Sequence, residues 1–479
     1  MNNTLFPNWL TETMLKGING SEINAFLMSL EGWRRGLTLT WYQDLNNHPQ
    51  IKLDFSNTTG NVFSLSNSNN ETHFFFYSMG DLISDQALEI LEDGEITKSF
   101  LTKNNISVPK SIVVKTNITE EELLEKIKSL SFPLMVKPLV KDVTFSLISN
   151  IENKEQLLDT LLNFSKSYSN QIVVIEEQLI GEHYQLYVVN NEVVAAVKKE
   201  PANIIGDGIH NIEQLIEIKN KERKKNPYLS DKLIQINEHL INFLQKQNLT
   251  LKSIPGNSNK VFLSNQANIS NGAETIDVTE NLLESIKQTA INAVNSIPGL
   301  AHAGVEIIVG KNNKTYVNKL NANADIAMHI FPVIGTPRNV PEYIMDFYYP
   351  STKGFSQNLR FMYYDYLEIK KILRKRYAQE ITINDAPKGK LFTRKYIISG
   401  KVQNVNYRNW IRKHALKKKI HGYVRNLENG NVEIVVASDN QDKVKKFKET
   451  CEKGPSRAKV DNVQEFEFSS SIKSGFEIK

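Results

Sequence analysis

Apolar positions along the chain alternate between two periods. Between residues 119 and 168, TEEELLEKIKSL and KEQLLDTLLNFSKSY space their leucines and isoleucines three and four apart. That spacing predicts amphipathic helices, the first with Thr119 as its N-cap. Between them PLMVKPL is a short continuous apolar run, the signature of a buried strand. IVVIEE, HYQLYVV and EVVAAVKK follow as strands, NLLESIKQTAINAVNSI as a helix, and AGVEIIVG with KTYVNKL as a strand pair. Nearer the start, the pattern predicts a helix from Ile23 to Arg35 that ends at Gly36, and then a strand. Phe74-Phe75-Phe76-Tyr77 reads as another strand, residues 85–105 as helical, and Ile112-Val113-Val114 as a strand.

The last part of the chain has its own rhythm. TRKYIISGKV reads as a strand, NWIRKHALKKKI as a helix, and HGYVRNLENGNVEIVVA as two strands turning at Glu428-Asn429-Gly430. Asn-Gly is a strong hairpin signal. DKVKKFKETCEKG is a helix closed by Gly454, and a last strand reaches Phe476-Glu477-Ile478. This order predicts a ferredoxin-like βαββαβ domain. Before it, YLEIKKILRKRYAQE is a basic amphipathic helix and NDAPKGK a loop of turn formers, so residues 351–389 read as a helical linker acting as an interdomain brace. The whole is α+β, with antiparallel sheets and no internal repeat.

Length and charge sharpen this division. A chain of 479 residues is too long for one core. Lys388–Lys479 holds 21 Lys and Arg against 10 Asp and Glu, which leaves 37 against 43 elsewhere. The basic end favours anionic substrates such as phosphates. Lys417-Lys418-Lys419 has no interleaved aromatics, so no nucleic-acid partner is expected. One cysteine, Cys451, makes no internal disulfide, which predicts a cytoplasmic protein. The opening MNNTLFPNWL does not read as a signal peptide, and no apolar run reaches roughly 18 residues, so no membrane partner is expected.

Candidate chemistry begins at Gly400-Lys401-Val402-Gln403-Asn404-Val405-Asn406-Tyr407-Arg408. A loop between a strand and a helix N-terminus turns several backbone N–H groups towards one point, a cradle for phosphate. Gln403, Asn404, Val405, Asn406 and Tyr407 form that loop. Arg408 adds a charged fork for two phosphate oxygens. The amide of Asn426, on the strand after Val424-Arg425, is suited to aim a water at phosphorus. These residues resemble the acylphosphatase signatures: the loop is similar to GxVQGVx[FY]R, and Gly422–Gly430 to the GW[VA]RN..DG block. Gly454-Pro455 with Ala458 and Val460 is similar to the GP..A.V block. The resemblance implies cofactor-free hydrolysis of a small-molecule acyl phosphate to carboxylate and phosphate, with Arg408 and Asn426 catalytic. Asn404 stands where the family has glycine. If that position needs positive φ, asparagine is the best replacement.

The larger part resembles ATP-grasp ligases of the cyanophycin synthetase and bifunctional glutathione synthetase branch. The resemblance rests on Phe132–Pro138, Ile175-Glu176-Glu177 with Gly181, Pro201–Gly208, Gly304-Val305-Glu306, Asn321-Ala322-Asn323 and Met328-His329. It implies a two-subdomain grasp fold, with ATP and Mg²⁺ as cofactors and an amino acid or peptide as co-substrate. Lys137, Glu176 and Glu177 would hold the nucleotide, and Glu306 and Asn321 the metal. Several family residues are replaced. Thr144 and Ser146 stand in the glycine-rich phosphate loop Lys141–Ser146, Gly94 replaces a lysine, Ser264 an arginine, and Lys319 the metal-ligand glutamate. These departures predict a degenerate site with weak or no ATP catalysis.

The expected organisation is therefore a pre-grasp α/β region at 1–84, a grasp-like domain at 85–350, the linker at 351–389 and an acylphosphatase-like domain at 390–479. Acyl phosphate hydrolysis leads as the expected function. An ATP-dependent carboxylate–amine ligase and a non-catalytic binding protein stand as alternatives.

Overall fold

The computed structural model describes residues 6–44, 60–139, 147–167, 171–355 and 359–479. The stretch Lys141–Ser146 lies outside them. The chain divides into one unit of residues 1–85, 201–277 and 322–479, and a second of residues 86–200 and 278–321. Among the described residues no helix is long and apolar enough to cross a membrane.

The second unit holds two antiparallel arrangements of strands. In one, Ser111–Lys115, Ile172–Glu177, Leu134–Pro138 and Ile148–Ile151 lie side by side in that order. Helices Glu120–Lys126 and Lys154–Ser167 follow the predicted spacing, and Leu123, Leu157 and Leu161 bury themselves with Leu134, Val136, Val173 and Ile175. Thr119 caps the first helix by accepting from the Glu122 N–H. In the other arrangement, Glu192–Glu200, Glu182–Val189, His302–Val309 and Thr315–Asn321 run side by side. The helical stretch 85–105 is two helices, Asp85–Glu92 and Gly94–Lys103. Asp93 splits them because its side chain accepts from Glu95 and Ile96 N–H as an N-cap.

In the first unit, helix Glu22–Arg34 belongs to the same module as a five-stranded sheet. The order of that sheet is Glu380–Thr382, Thr38–Tyr42, Val62–Ser66, Thr72–Phe76 and Met79–Gly80. The predicted linker thus contributes an edge strand, Thr382 lying opposite Thr40. Its helix, Tyr366–Arg374, is part of the same module: the Tyr366 ring lies 5.1 Å from Trp41 and 5.6 Å from Phe26, and buried Lys370 pairs with Glu22.

The C-terminal sheet has the order Lys459–Phe466, Phe392–Lys401, Val432–Ser438, His421–Asn426 and Phe476–Ile478. Helices Tyr407–Lys417 and Gln441–Lys453 close over a core of Tyr396, Ile398, Ile411, Val424, Ile434, Val436 and Phe447. This is the ferredoxin-like arrangement expected, with one difference. The single final strand is two pieces on opposite edges, because the polar stretch before Phe476 carries the chain across and ends at Gly475 with φ +89°.

Candidate functional site

The C-terminal site starts at the end of strand Phe392–Lys401. Gly400 has φ +121°, and a Cβ there would collide with the Lys459 carbonyl. Only glycine lets the chain leave the sheet at that point. Asn404 and Asn406 then take left-handed conformations, φ +61° and +66°. The glycine-to-asparagine change at 404 therefore retains the positive φ that a glycine would supply.

Three of the loop side chains serve the framework. Val405 and Tyr407 are buried in the core, and the Tyr407 hydroxyl donates to the Cys451 carbonyl. Gln403 donates through Nε2 to Leu427 O at 2.9 Å and Asn431 O at 2.8 Å. What the loop offers a ligand is its backbone. Among the described residues, none of the N–H groups of 403–409 donates a hydrogen bond. Those of 407–409 also form the first turn of a helix, where the dipole favours an anion.

Arg408 and Asn426 are each partly exposed, and neither side chain has a hydrogen-bond or ion-pair partner among the described residues. Asn426 ends its strand opposite Val432, adjacent to Leu427, whose carbonyl receives Gln403. The loop and the strand end are thereby tied together, while the fork and the amide stay available. Cys451 is buried, and burial pushes its thiol well above the ordinary range, so it is no nucleophile.

The grasp-like site residues fall in the second unit. Lys137 and Glu176 sit on adjacent strands with Nζ and carboxylate 2.8 Å apart. Glu176 is buried and also receives Lys98, which in turn bonds Glu95 at 2.9 Å and Ser111 at 2.7 Å. Lys98 was not among the predicted residues, and its position one turn after Gly94 was the available signal. Glu177 accepts from the Ser131 N–H at 2.8 Å, which fixes the turn before the lysine strand. After this pair, Gly181 passes so close to Val309 that any Cβ would strike its carbonyl.

Glu306 also has a partner that the sequence did not predict, Lys199, at 2.8 Å. In register Glu306 lies opposite Lys319 on one side and Gln185 on the other. Burial pushes the Glu306 carboxyl up, but Lys199, with His183 and Lys319, pulls it below its ordinary value. Asn321, two residues beyond Lys319, faces the same way. One carboxylate, one amide and two lysines do not fit a divalent cation, which needs several anionic oxygens. Among the described residues no cluster of three or more His, Cys, Asp or Glu is placed to hold a metal.

Two family models match the chain: acylphosphatase over residues 394–478, and the RimK-like ATP-grasp domain over residues 93–213. The chain joins a RimK-like ATP-grasp domain to a C-terminal acylphosphatase domain. The glutathione biosynthesis bifunctional protein of Clostridium perfringens is 32% identical over 271 residues, covering 54% of this chain and 34% of that protein. The corresponding protein of Enterococcus faecalis is 28% identical, covering 54% and 35%. The chain thus spans about a third of the length of the curated relatives it matches. Among solved structures, a bifunctional glutathione synthetase from Pasteurella multocida is 25% identical with a TM-score of 0.49, over 61% of this chain and 40% of that one. An acylphosphatase from Coxiella burnetii is 32% identical with a TM-score of 0.18, over 19% of this chain and 93% of that one. The ATP-grasp match contains Lys98, Lys137, Glu176, Glu177 and Lys199, and the acylphosphatase match contains Arg408 and Asn426.

Proposed function

We propose that this protein works on both sides of an acyl phosphate. Its ATP-grasp domain acts as an ATP-dependent carboxylate–amine ligase, and its acylphosphatase domain hydrolyses acyl phosphates. The ligase reading takes precedence over the hydrolase-only expectation. The relatives of the larger part are glutathione biosynthesis proteins, and their alignments cover more than half of this chain. The observation that carries it in the structure is the pair Lys137 and Lys98 converging on one buried carboxylate, Glu176. With Glu95 also paired to Lys98, two ammonium groups meet two carboxylates, and this balanced cluster holds the more exposed Lys137 where its ammonium can meet nucleotide phosphates.

In the ligase step, an oxygen of the carboxylate substrate attacks the γ-phosphorus of ATP. The bond to ADP breaks and an acyl phosphate forms. An amine nitrogen then attacks the acyl carbon, phosphate leaves with the bonding pair, and the amine loses one proton to solvent. Lys137 holds phosphate charge, while Glu176, itself held by Lys98, fixes its position. The second co-substrate is an amino acid or peptide.

In the hydrolytic step, the N–H groups of 403–409 and the Arg408 fork hold the phosphoryl oxygens. Asn426 orients a water that attacks phosphorus. The P–O bond to the acyl group breaks, the carboxylate leaves, and the water's proton passes to solvent. No group outside the chain is needed. The charge developing on the phosphoryl oxygens is met by fixed donors, the usual main source of rate in such reactions.

ADP release from ATP in the presence of pooled amino acids and short peptides, together with benzoyl phosphate hydrolysis, tests the two halves separately. Amine-dependent ADP release supports the ligase. Turnover of neither substrate would leave a binding protein.

A further inference from the structure

Four adjacent strands present one polar face whose charge has the wrong sign for a metal site. Glu306 faces Lys319 across one strand pair and Gln185 across the other. Lys199 lies opposite His183, two residues from Gln185, so all of these side chains share one face of the sheet. Lys199 donates to Glu306 at 2.8 Å and approaches Gln185 at 3.4 Å. Two lysines against one glutamate leave that face with a net positive charge. Lys319 is exposed, with Asn321 beside it in the same orientation.

We infer that this face binds the phosphate groups of a nucleotide directly, with Lys319 supplying the charge that a divalent cation would otherwise bring. Glu306 acts as the anchor that aims Lys199. It does not act as a metal ligand, because its carboxylate is already engaged by that lysine. A lysine opposite it repels a dication but attracts a triphosphate, and its exposed position leaves the ammonium free to follow the phosphates. The inference rests on the proposed binding of ATP by this domain and specifies how that binding is achieved.

The test is calorimetric titration of ATP into the full-length protein, first in EDTA and then in excess magnesium. The wild type is compared with Lys319→Glu and with Lys311→Glu, an exposed charge control preceding the same strand. Binding in EDTA that magnesium tightens by less than about threefold is expected. Lys319→Glu should weaken binding in EDTA by about tenfold or more and should make binding magnesium-dependent, whereas Lys311→Glu should leave both unchanged. Binding that needs magnesium in the wild type and is indifferent to Lys319→Glu would overturn the inference and leave the ATP reading standing. No binding in either buffer would overturn both. Circular dichroism of each variant separates a failure to bind from a failure to fold.

Discussion

Gln403 donates its side-chain amide to the carbonyl of Leu427 at 2.9 Å, and Leu427 follows Asn426 directly. One glutamine thus links the phosphate loop to the end of the strand that carries the water-orienting amide, and a second bond to Asn431 spans the hairpin. The framework is rigid where the two candidate catalytic side chains are free.

Gln403→Ala should therefore lose more than a contact. Two carbonyls each lose one of two donors, since Leu427 O keeps the Gly430 N–H and Asn431 O keeps the Leu427 N–H, a cost of about 0.5–1.5 kcal/mol per bond. The expected result is a lowered unfolding midpoint with kcat for benzoyl phosphate down about tenfold and KM raised. Unchanged stability and kinetics would show that the loop is held elsewhere.

Arg408→Ala should lower kcat/KM for benzoyl phosphate by about 10³-fold, as expected for loss of a charged bidentate donor to a phosphoryl group. Arg408→Lys should recover only part of it, because a point charge lacks the fork. Asn426→Ala should lower kcat by about 10²-fold while KM stays within about threefold. Since neither side chain has a bond among the described residues, thermal unfolding should not move.

His302 lies buried between strands, its Nδ1 3.1 Å from the Tyr187 hydroxyl, and burial pushes its pKa down to about 4. Its ordinary value is about 6.5, so between those values the unfolded chain binds a proton that the folded one refuses. Its stabilising effect is present above about pH 6.5 and is lost as the pH falls towards 4, by about 3 kcal/mol over the window. Urea unfolding of wild type and His302→Asn across this range should show the slope flattened in the variant. Parallel slopes would place the linkage on another group.

Lys137→Met removes one of the two cations on Glu176 and should weaken ATP binding by about tenfold or more, with little change in benzoyl phosphate hydrolysis. Titration calorimetry and the hydrolase assay on the same preparation check both halves. Equal loss of both activities would indicate general unfolding.

What the sequence disclosed follows from distance along the chain. The phosphate loop lies within nine consecutive positions, so its strand, loop and helix order was legible, as was the fitness of Asn404 for positive φ. The hairpin was announced by Asn429-Gly430. The Lys199–Glu306 pair was not, because its partners are 107 residues apart and meet only through strand register. The edge strand Glu380–Thr382 was hidden for the same reason, being brought to Thr38–Tyr42 by the tertiary fold. A charged, turn-rich stretch of three extended residues carries no period of its own to read.

The most direct test of the central claim is to trap the acyl phosphate itself. Arg408→Ala is used to block its hydrolysis, and the protein is incubated with ATP, pooled amino acids and short peptides, and hydroxylamine as the amine. Hydroxamate should form in step with ADP, depend on the carboxylate and fall with Lys137→Met. ADP and hydroxamate no higher than in the carboxylate-free control would contradict the ligase half and leave the acylphosphatase domain as the chain's catalyst.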